Sequence, residues 1–87
     1  MEITDVRIRM MEGDSKMRAV ASVTFDGVFV VHDIKVVDGE KGLFIAMPSK
    51  KVGEEYKDVA HPLTPDFRKY ISDIIFEKYN SVLEGTV

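Results

Sequence analysis

The chain has 87 residues, of which 45% are hydrophobic and 31% are charged, and it contains no cysteine. This length and composition predict one small globular domain and exclude disulfide bridges, thiolate zinc sites and a cysteine nucleophile. Twelve Lys and Arg residues against fifteen Asp and Glu residues give a formal net charge of −3. Bulk charge therefore argues against nucleic-acid binding, which would need a local basic patch.

The size of the chain also bears on its oligomeric state. A domain of this length buries only about 60–65% of the surface of its unfolded chain, so a second subunit that covers apolar area adds needed stability. We therefore expect a homodimer. The sequence shows neither a charged start before a long apolar run nor a membrane span, and we expect a soluble cytoplasmic protein without membrane insertion.

The first two predicted strands, at about 2–10 and 17–25, alternate between apolar and polar residues. Val6, Ile8 and Met10 occupy one face of the first strand, and the apolar face of the second carries Met17, Ala19, Ala21, Val23 and Phe25. A period of two residues is typical of a half-buried strand. The two segments are predicted to form a hairpin.

Two turn signals divide the next part of the chain. Asp26-Gly27 favours a two-residue primed turn, which leads into a third strand at about 28–37. This strand is largely apolar on both faces and is therefore predicted to lie in the centre of the sheet. The segment 38–42 is the next turn, and a fourth strand at about 43–47 ends at Pro48, which cannot donate to a sheet ladder. Residues 49–55 are expected to form a polar loop, followed by a short fifth strand at about 56–61.

A helix is predicted at about 65–83. Thr64 is a typical N-cap, Pro65 suits the first helical position, and Asp66 complements the positive end of the helix dipole. An apolar stripe at helical spacing should cover the sheet; it comprises Phe67, Tyr70, Ile71, Ile74, Ile75, Tyr79 and Val82. The predicted fold is therefore α+β, an antiparallel sheet of four or five strands with one C-terminal helix.

Phe76 and Leu83 lie on roughly the opposite side of the predicted helix. A lone monomer would leave this apolar pair in water, so the pair is either a dimer contact or two scattered surface residues. The dimer is expected to form through the helix or through sheet edges.

No pattern indicates catalysis. His32 and Asp33 are neighbours in a strand and point to opposite faces, so they cannot form a dyad. A metal site would need His32 and His61 to converge with a carboxylate such as Asp33 or Asp58, which the spacing permits but does not indicate. The serines lack a nucleophile elbow, and no glycine-rich loop precedes a helix. We expect no enzyme activity, catalytic residue, metal or cofactor.

Basic residues fall into three groups. One group shares the polar face of the first hairpin, the second follows Pro48-Ser49, and the third lies in the first turns of the helix, where positive charge is unfavourable for the dipole. Exposed cations are also ordinary on any surface, and both interpretations stay open. The groups are Arg7, Arg9 and Arg18; Lys50 and Lys51; and Arg68 and Lys69. A two-fold axis would double each patch and allow contact with several phosphates.

The central stretch RAVASVTFDGVFVVHDIKVVDGEKGLFIAMPSKK, followed by YKDVAHPL and a terminal helix, resembles the stage V sporulation protein G (SpoVG) family of septation proteins. The ordered combination of VVHDI, DG..GLFIAMPSK and D.AHP carries the resemblance over nearly the whole chain. It implies a nonenzymatic, homodimeric cytoplasmic regulator that binds DNA or RNA and influences sporulation, septation and gene expression.

The resemblance also implies candidate contacts. Lys50 and Lys51 match the basic pair that follows AMPS in the family, whereas Arg68 and Lys69 lie in a helix that matches less closely. The acidic Glu54 and Glu55 lie beside the lysines in this chain. The alternative hypothesis is a protein–protein adaptor in septation control that binds other regulatory or septation proteins through Phe76, Leu83 and the exposed sheet face.

Overall fold

The computed structural model describes residues 1–13 and 16–85, which form six strands and one helix in two sheets. In chain order the elements are β1 Ile3–Met10, β2 Met17–Phe25, β3 Phe29–Gly39, β4 Gly42–Ala46, β5 Ser49–Val52, β6 Glu55–Asp58 and α1 Pro65–Leu83. Strands β1 to β4 form one antiparallel sheet in chain order, and β5 and β6 form a separate two-stranded sheet. The α+β class with one C-terminal helix is confirmed.

The first two hairpins follow the predicted alternation. Ile8 lies opposite Ala21 on β2, so the apolar faces of the two strands coincide. Asp26 and Gly27 have φ values of 52° and 68°, and the Val28 amide donates to the Phe25 carbonyl at 3.0 Å. These are the features of a type I′ turn, as the sequence predicts.

Strand β3 is central only in its second half. Its residues 35–39 pair with β4, whereas Phe29, Val30 and Val31 pair with β2 alone. Ile34 is buried under the helix, but Phe29 and Val30 are exposed. The expectation that both faces of this strand are covered is therefore wrong, because in the described residues α1 packs on one face of the sheet only. The edge of β3 at residues 29–31 is also left without β4, since β4 ends opposite Lys35.

The core lies between one face of the four-stranded sheet and α1. Ile71, Ile75 and Tyr79 are buried at intervals of four residues along the helix, the spacing that one helical face requires. The buried sheet residues are Ala19, Ala21, Val23, Phe25, Ile34, Val36 and Ile45, joined by Met47 just after β4.

The helix begins where the sequence predicts. The Thr64 hydroxyl accepts a hydrogen bond from the Phe67 amide at 3.1 Å, which satisfies one of the free amides of the first turn. The centroids of the Phe67 and Phe25 rings are 5.9 Å apart, so the first turn of the helix packs against the end of β2. The Ile3 amide donates to the Tyr70 hydroxyl at 3.0 Å, so the helix is fixed against the first strand.

One expectation about the helix surface is wrong. The helical spacing predicted that Phe76 is exposed to solvent. In the structure Phe76 is half-buried and packs against the core. Leu83 is 61% exposed. The two residues proposed as a dimer contact therefore do not form a single exposed patch, because Phe76 packs against the core while Leu83 remains in solvent.

The segment after Pro48 differs most from expectation. Residues 49–52 form β5 rather than a polar loop, and β6 pairs with β5 rather than extending the main sheet. Pro48 ends β4, and its carbonyl accepts the Val59 amide at 2.7 Å, which closes the base of the new hairpin. Gly53 at φ 65° supplies the positive φ that a two-residue hairpin loop favours. We call this hairpin, residues 49–58, the basic ribbon.

Candidate nucleic-acid interface

The basic ribbon places two lysines directly opposite each other. Lys50 pairs with Lys57, and both side chains belong to exposed residues. Like charges directly opposite on antiparallel strands destabilise the pairing. An anion bound between the two ammonium groups would remove this repulsion. Sequence reasoning missed Lys57, because the partner of Lys50 is fixed by hairpin register and not by spacing along the chain.

The other face of the ribbon combines a cation with an aromatic ring. Lys51 lies opposite Tyr56, whose exposure is 71%. Three acids equal the ribbon's lysines in number, but they lie at its two ends, with Glu54 and Glu55 at the turn and Asp58 at the base. The lysines therefore remain adjacent to one another in the middle of the ribbon.

The cations of the first hairpin differ in their partners. Arg7 Nε lies 3.0 Å from Asp5 Oδ2, and Arg18 Nη2 lies 3.1 Å from Asp38 Oδ2. Arg9 has no ion-pair partner within residues 1–13 and 16–85. These surface pairs are weak, but they reduce the positive potential of Arg7 and Arg18 and leave Arg9 as the more available cation.

The helix cations are separated from the hairpin cations by the sheet. Lys69 Nζ lies 2.6 Å from Asp73 Oδ2, and the hydrogen bond and charge of this carboxylate raise the pKa of Lys69. Arg68 is exposed, with no ion pair in the described part of the chain. Because α1 covers the other face of the sheet, the structure does not bring the seven predicted cations into one patch.

The two histidines have separate local partners. His32 Nδ1 is 2.9 Å from Ser22 Oγ, and His61 Nδ1 is 2.9 Å from the Pro62 carbonyl oxygen. Residues 1–13 and 16–85 contain no group of three His, Asp or Glu side chains arranged to hold a metal ion. The metal-site alternative thus finds no geometric support in that part of the chain.

An apolar groove of about 500 Å³ lies between the first half of β3 and the segment that leads into α1. Phe29 and Leu63 lie on its rim and are 60% and 91% exposed. Sequence reasoning missed this groove, because its walls come from segments far apart along the chain. Its surface suits an apolar partner rather than a phosphate.

The fold and these surfaces define a small α+β domain with a lysine-bearing ribbon and an apolar groove. The SpoVG family model matches residues 1–81, and the chain belongs to the SpoVG family. It is 57% identical to the "Putative septation protein SpoVG" of Lachnoclostridium phytofermentans, over 100% of this chain and 96% of that protein. The protein of the same name from Agathobacter rectalis is 56% identical, with 98% and 99% covered.

A third relative carries the same name. The protein from Thermoanaerobacter sp. is 55% identical over 97% of this chain and 92% of its own length. The family resemblance drawn from the central stretch is therefore confirmed. Within the described residues, the helix lacks the combination of length and apolarity needed to cross a membrane.

Proposed function

We propose that this chain is a cytoplasmic nucleic-acid-binding regulator that influences septation, the process named in the descriptions of its relatives, together with sporulation and gene expression. The observation that carries the proposal is the Lys50–Lys57 pair across the basic ribbon. Two like charges held opposite each other on paired four-residue strands weaken the strand pairing and strengthen the attraction for a polyanion.

Binding rests on phosphate contacts. Lys50 and Lys57 on one face, and Lys51 on the other, displace the counterions that neutralise a nucleic-acid backbone, and that release drives association. Lysine is a flexible point charge and does not read bases by fixed geometry. The ribbon therefore supplies affinity, and sequence preference comes from other residues.

Two copies of the chain strengthen this interaction. A homodimer related by a two-fold axis presents two ribbons, and simultaneous contact raises the overall affinity through the high effective concentration of the second site. The unpaired edge of β3 at residues 29–31 and the adjoining apolar groove support the proposed dimer, since both leave apolar side chains in water.

The test is fluorescence anisotropy of labelled duplex DNA and RNA across a salt series. The Lys50→Ala/Lys57→Ala double variant is expected to bind more weakly, with the slope of log affinity against log salt reduced by about two units in magnitude, roughly 0.9 for each phosphate that is no longer neutralised. The matched control is Lys16→Ala/Lys41→Ala, which removes two lysines outside the ribbon and should keep the wild-type slope.

Two results would contradict the proposal. Wild-type protein that binds neither duplex DNA nor RNA at low salt excludes direct binding. Equal loss in both double variants would mean that general charge, rather than the ribbon, attracts the nucleic acid.

The second candidate function is the adaptor role, favoured by the apolar groove with its exposed Phe29 and Leu63. An adaptor would bind other regulatory or septation proteins with little dependence on salt, and would tolerate the loss of Lys50 and Lys57. The salt series therefore separates the two functions.

A further inference from the structure

In the part of the chain that the structure describes, no helix covers the face of the main sheet that points away from α1. Directly opposed residues of antiparallel strands point to the same face. Arg9 opposes Val20, Val20 opposes Lys35, and Lys35 opposes Ala46, so one row of side chains crosses all four strands. The chain neighbours of this row, such as Ile34, are buried on the helix side. We call this surface the open face.

An aromatic ring lies on the open face beside this row. Phe44 opposes Val37, two residues from Lys35, and 49% of it is exposed. A Cβ atom added to Gly39 would lie 2.8 Å from Phe44 Cε1. The ring thus rests against the bare backbone of Gly39, so one side of it is held by the protein while the rest remains in solvent.

The charges on the open face favour an anionic ligand. Asp5 and Asp38 neutralise Arg7 and Arg18, but Arg9 and Lys35 have no ion-pair partner in the part of the chain that the structure describes. Asp33, an acid beside Arg9, has no ion pair among these residues either, so the two free cations exceed it by one. Adjacent strands are about 4.8 Å apart, so the two free cations, two strands apart, are separated by roughly 10 Å at the backbone.

A notch in the open face, beside the Arg9 end of the row, is lined by polar groups. The pairing of β2 and β3 shifts between Ala21 and Val23, and Ser22 is hydrogen-bonded to His32 at 2.9 Å. The resulting concavity has a volume of about 500 Å³ and is also lined by Arg7, Arg9 and Asp33. Its hydroxyl, imidazole and guanidinium groups can hydrogen-bond to a phosphate or a base edge.

From these features we propose that the open face binds single-stranded nucleic acid. A base stacks on Phe44, phosphates contact Arg9 and Lys35, and the Ser22–His32 notch hydrogen-bonds to the strand beyond them. A duplex hides the faces of its bases, whereas a single strand offers them to an aromatic side chain beside cations. The inference rests on the proposed function, specifies its substrate as an unpaired strand, and adds a contact separate from the basic ribbon.

The test compares single-stranded oligothymidine of about 16 nucleotides, a length near the upper end of single-strand site sizes, with a duplex of equal length. Phe44→Leu is expected to lower single-strand affinity about tenfold, since it removes base stacking on an aromatic residue. Its salt slope should not change, because no charge is removed. Arg9→Ala should reduce the magnitude of the single-strand slope by about 0.7.

Leu43→Ala is the matched control. Leu43 directly precedes Phe44 on β4 and is 40% exposed, but it opposes Asp38 rather than Val37 and therefore lies on the helix side of the sheet. This variant should bind single strands as the wild type does. Retained duplex binding by Phe44→Leu shows that the variant is folded and that its loss is specific to unpaired bases.

Three outcomes overturn the inference. Phe44→Leu could bind the single strand as tightly as the wild type, it could lose duplex and single strand equally, or it could change the oligomeric mass instead of the affinity. The proposed function fails by a different result, which is wild-type protein that binds neither probe. If the Lys50→Ala/Lys57→Ala variant loses duplex binding while Phe44→Leu has no effect, the proposed function stands and the inference falls.

Discussion

At the scale of single residues, the partners of the cations decide which of them can contact a ligand. Arg7 and Arg9 are two residues apart on β1 and look equivalent in sequence, yet among residues 1–13 and 16–85 only Arg7 has an acidic partner, Asp5. Lys69 likewise faces Asp73 across one turn of α1. Both partners are near in sequence, but which acid a flexible side chain reaches depends on the surrounding surface, and the sequence does not specify it.

The Lys69–Asp73 pair leads to a prediction about pH. Asp73→Asn should lower the pKa of Lys69 toward its ordinary value of 10.5, because the hydrogen bond and charge that raise it are removed. The raised pKa means that the stabilising contribution is complete below 10.5 and is lost as the pH rises through the Lys69 pKa. Nuclear magnetic resonance titration of the Lys69 side chain measures the shift.

The control is Glu77→Gln, which removes another carboxylate of α1 and should leave the Lys69 titration as it is in the wild type. An identical Lys69 titration in wild type and Asp73→Asn would contradict the prediction. Because both members of the pair are exposed, we expect only a small effect on stability at neutral pH.

At the scale of secondary structure, the elements of the main sheet and the helix were predictable, whereas the ribbon was not: β5 was expected to be loop, and the pairing of β6 with it was missed. β1 and β2 show a clear two-residue period, and α1 has a cap at Thr64 and an apolar stripe. In these elements the local sequence signals and the pattern of burial therefore predict the same secondary structure. The four-residue strands of the basic ribbon are polar on both faces and carry no period. Their pairing depends on the Gly53 turn and on the closure between Pro48 and Val59.

Strand register, which the sequence does not specify, also explains which residues of the candidate site were missed. Lys50 and Lys51 were identified because they are adjacent in the chain, whereas Lys57 became a candidate only when the register placed it opposite Lys50. The Ser22–His32 contact depends on a register shift within β2 and β3, which side-chain alternation alone cannot reveal.

A single charge reversal in the ribbon separates strand stability from binding. Lys57→Glu replaces a like-charge pair with an opposite-charge pair, so the ribbon should become more stable by a few tenths of a kcal/mol. Nucleic-acid affinity should fall at the same time, because a phosphate contact is replaced by repulsion. Hydrogen exchange of the ribbon amides and anisotropy measure the two effects.

Lys57→Gln serves as the control for this change, since it removes the charge without adding an acid, and its effect on affinity should be intermediate. If Lys57→Glu loosens the ribbon, the affinity loss would report unfolding, and the role assigned to the Lys50–Lys57 pair would be wrong.

At the scale of the whole molecule, the surface left open by one copy predicts association. The unpaired edge of β3 carries Val30, and Phe29 lies beside the apolar groove. An unpaired strand edge beside an apolar surface favours pairing with another chain. The sequence predicted a dimer from chain length, and the structure indicates where apolar surface remains to be covered.

We expect the wild-type chain to have about twice its monomer mass of 9.8 kDa in light scattering after size exclusion. Val30→Lys should shift it toward the monomer, because a charge would be buried in the interface. Val52→Lys is the control: Val30 and Val52 are both 44% exposed, but Val52 lies in the ribbon. A monomeric wild type, or equal dissociation of both variants, would contradict an interface at β3.

The hydrogen bond from the Ile3 amide to the Tyr70 hydroxyl joins the beginning of the sheet to the helix that completes it. During synthesis, all strands of the main sheet emerge before α1 exists, so their apolar face has no cover until the helix leaves the ribosome. The nascent sheet is then an incomplete half of a core, open to unintended contacts with other chains. Among the described elements α1 is synthesised last, so we expect the core to close only after the helix has left the ribosome, and a pause before Tyr70 to prolong the exposure of the apolar face.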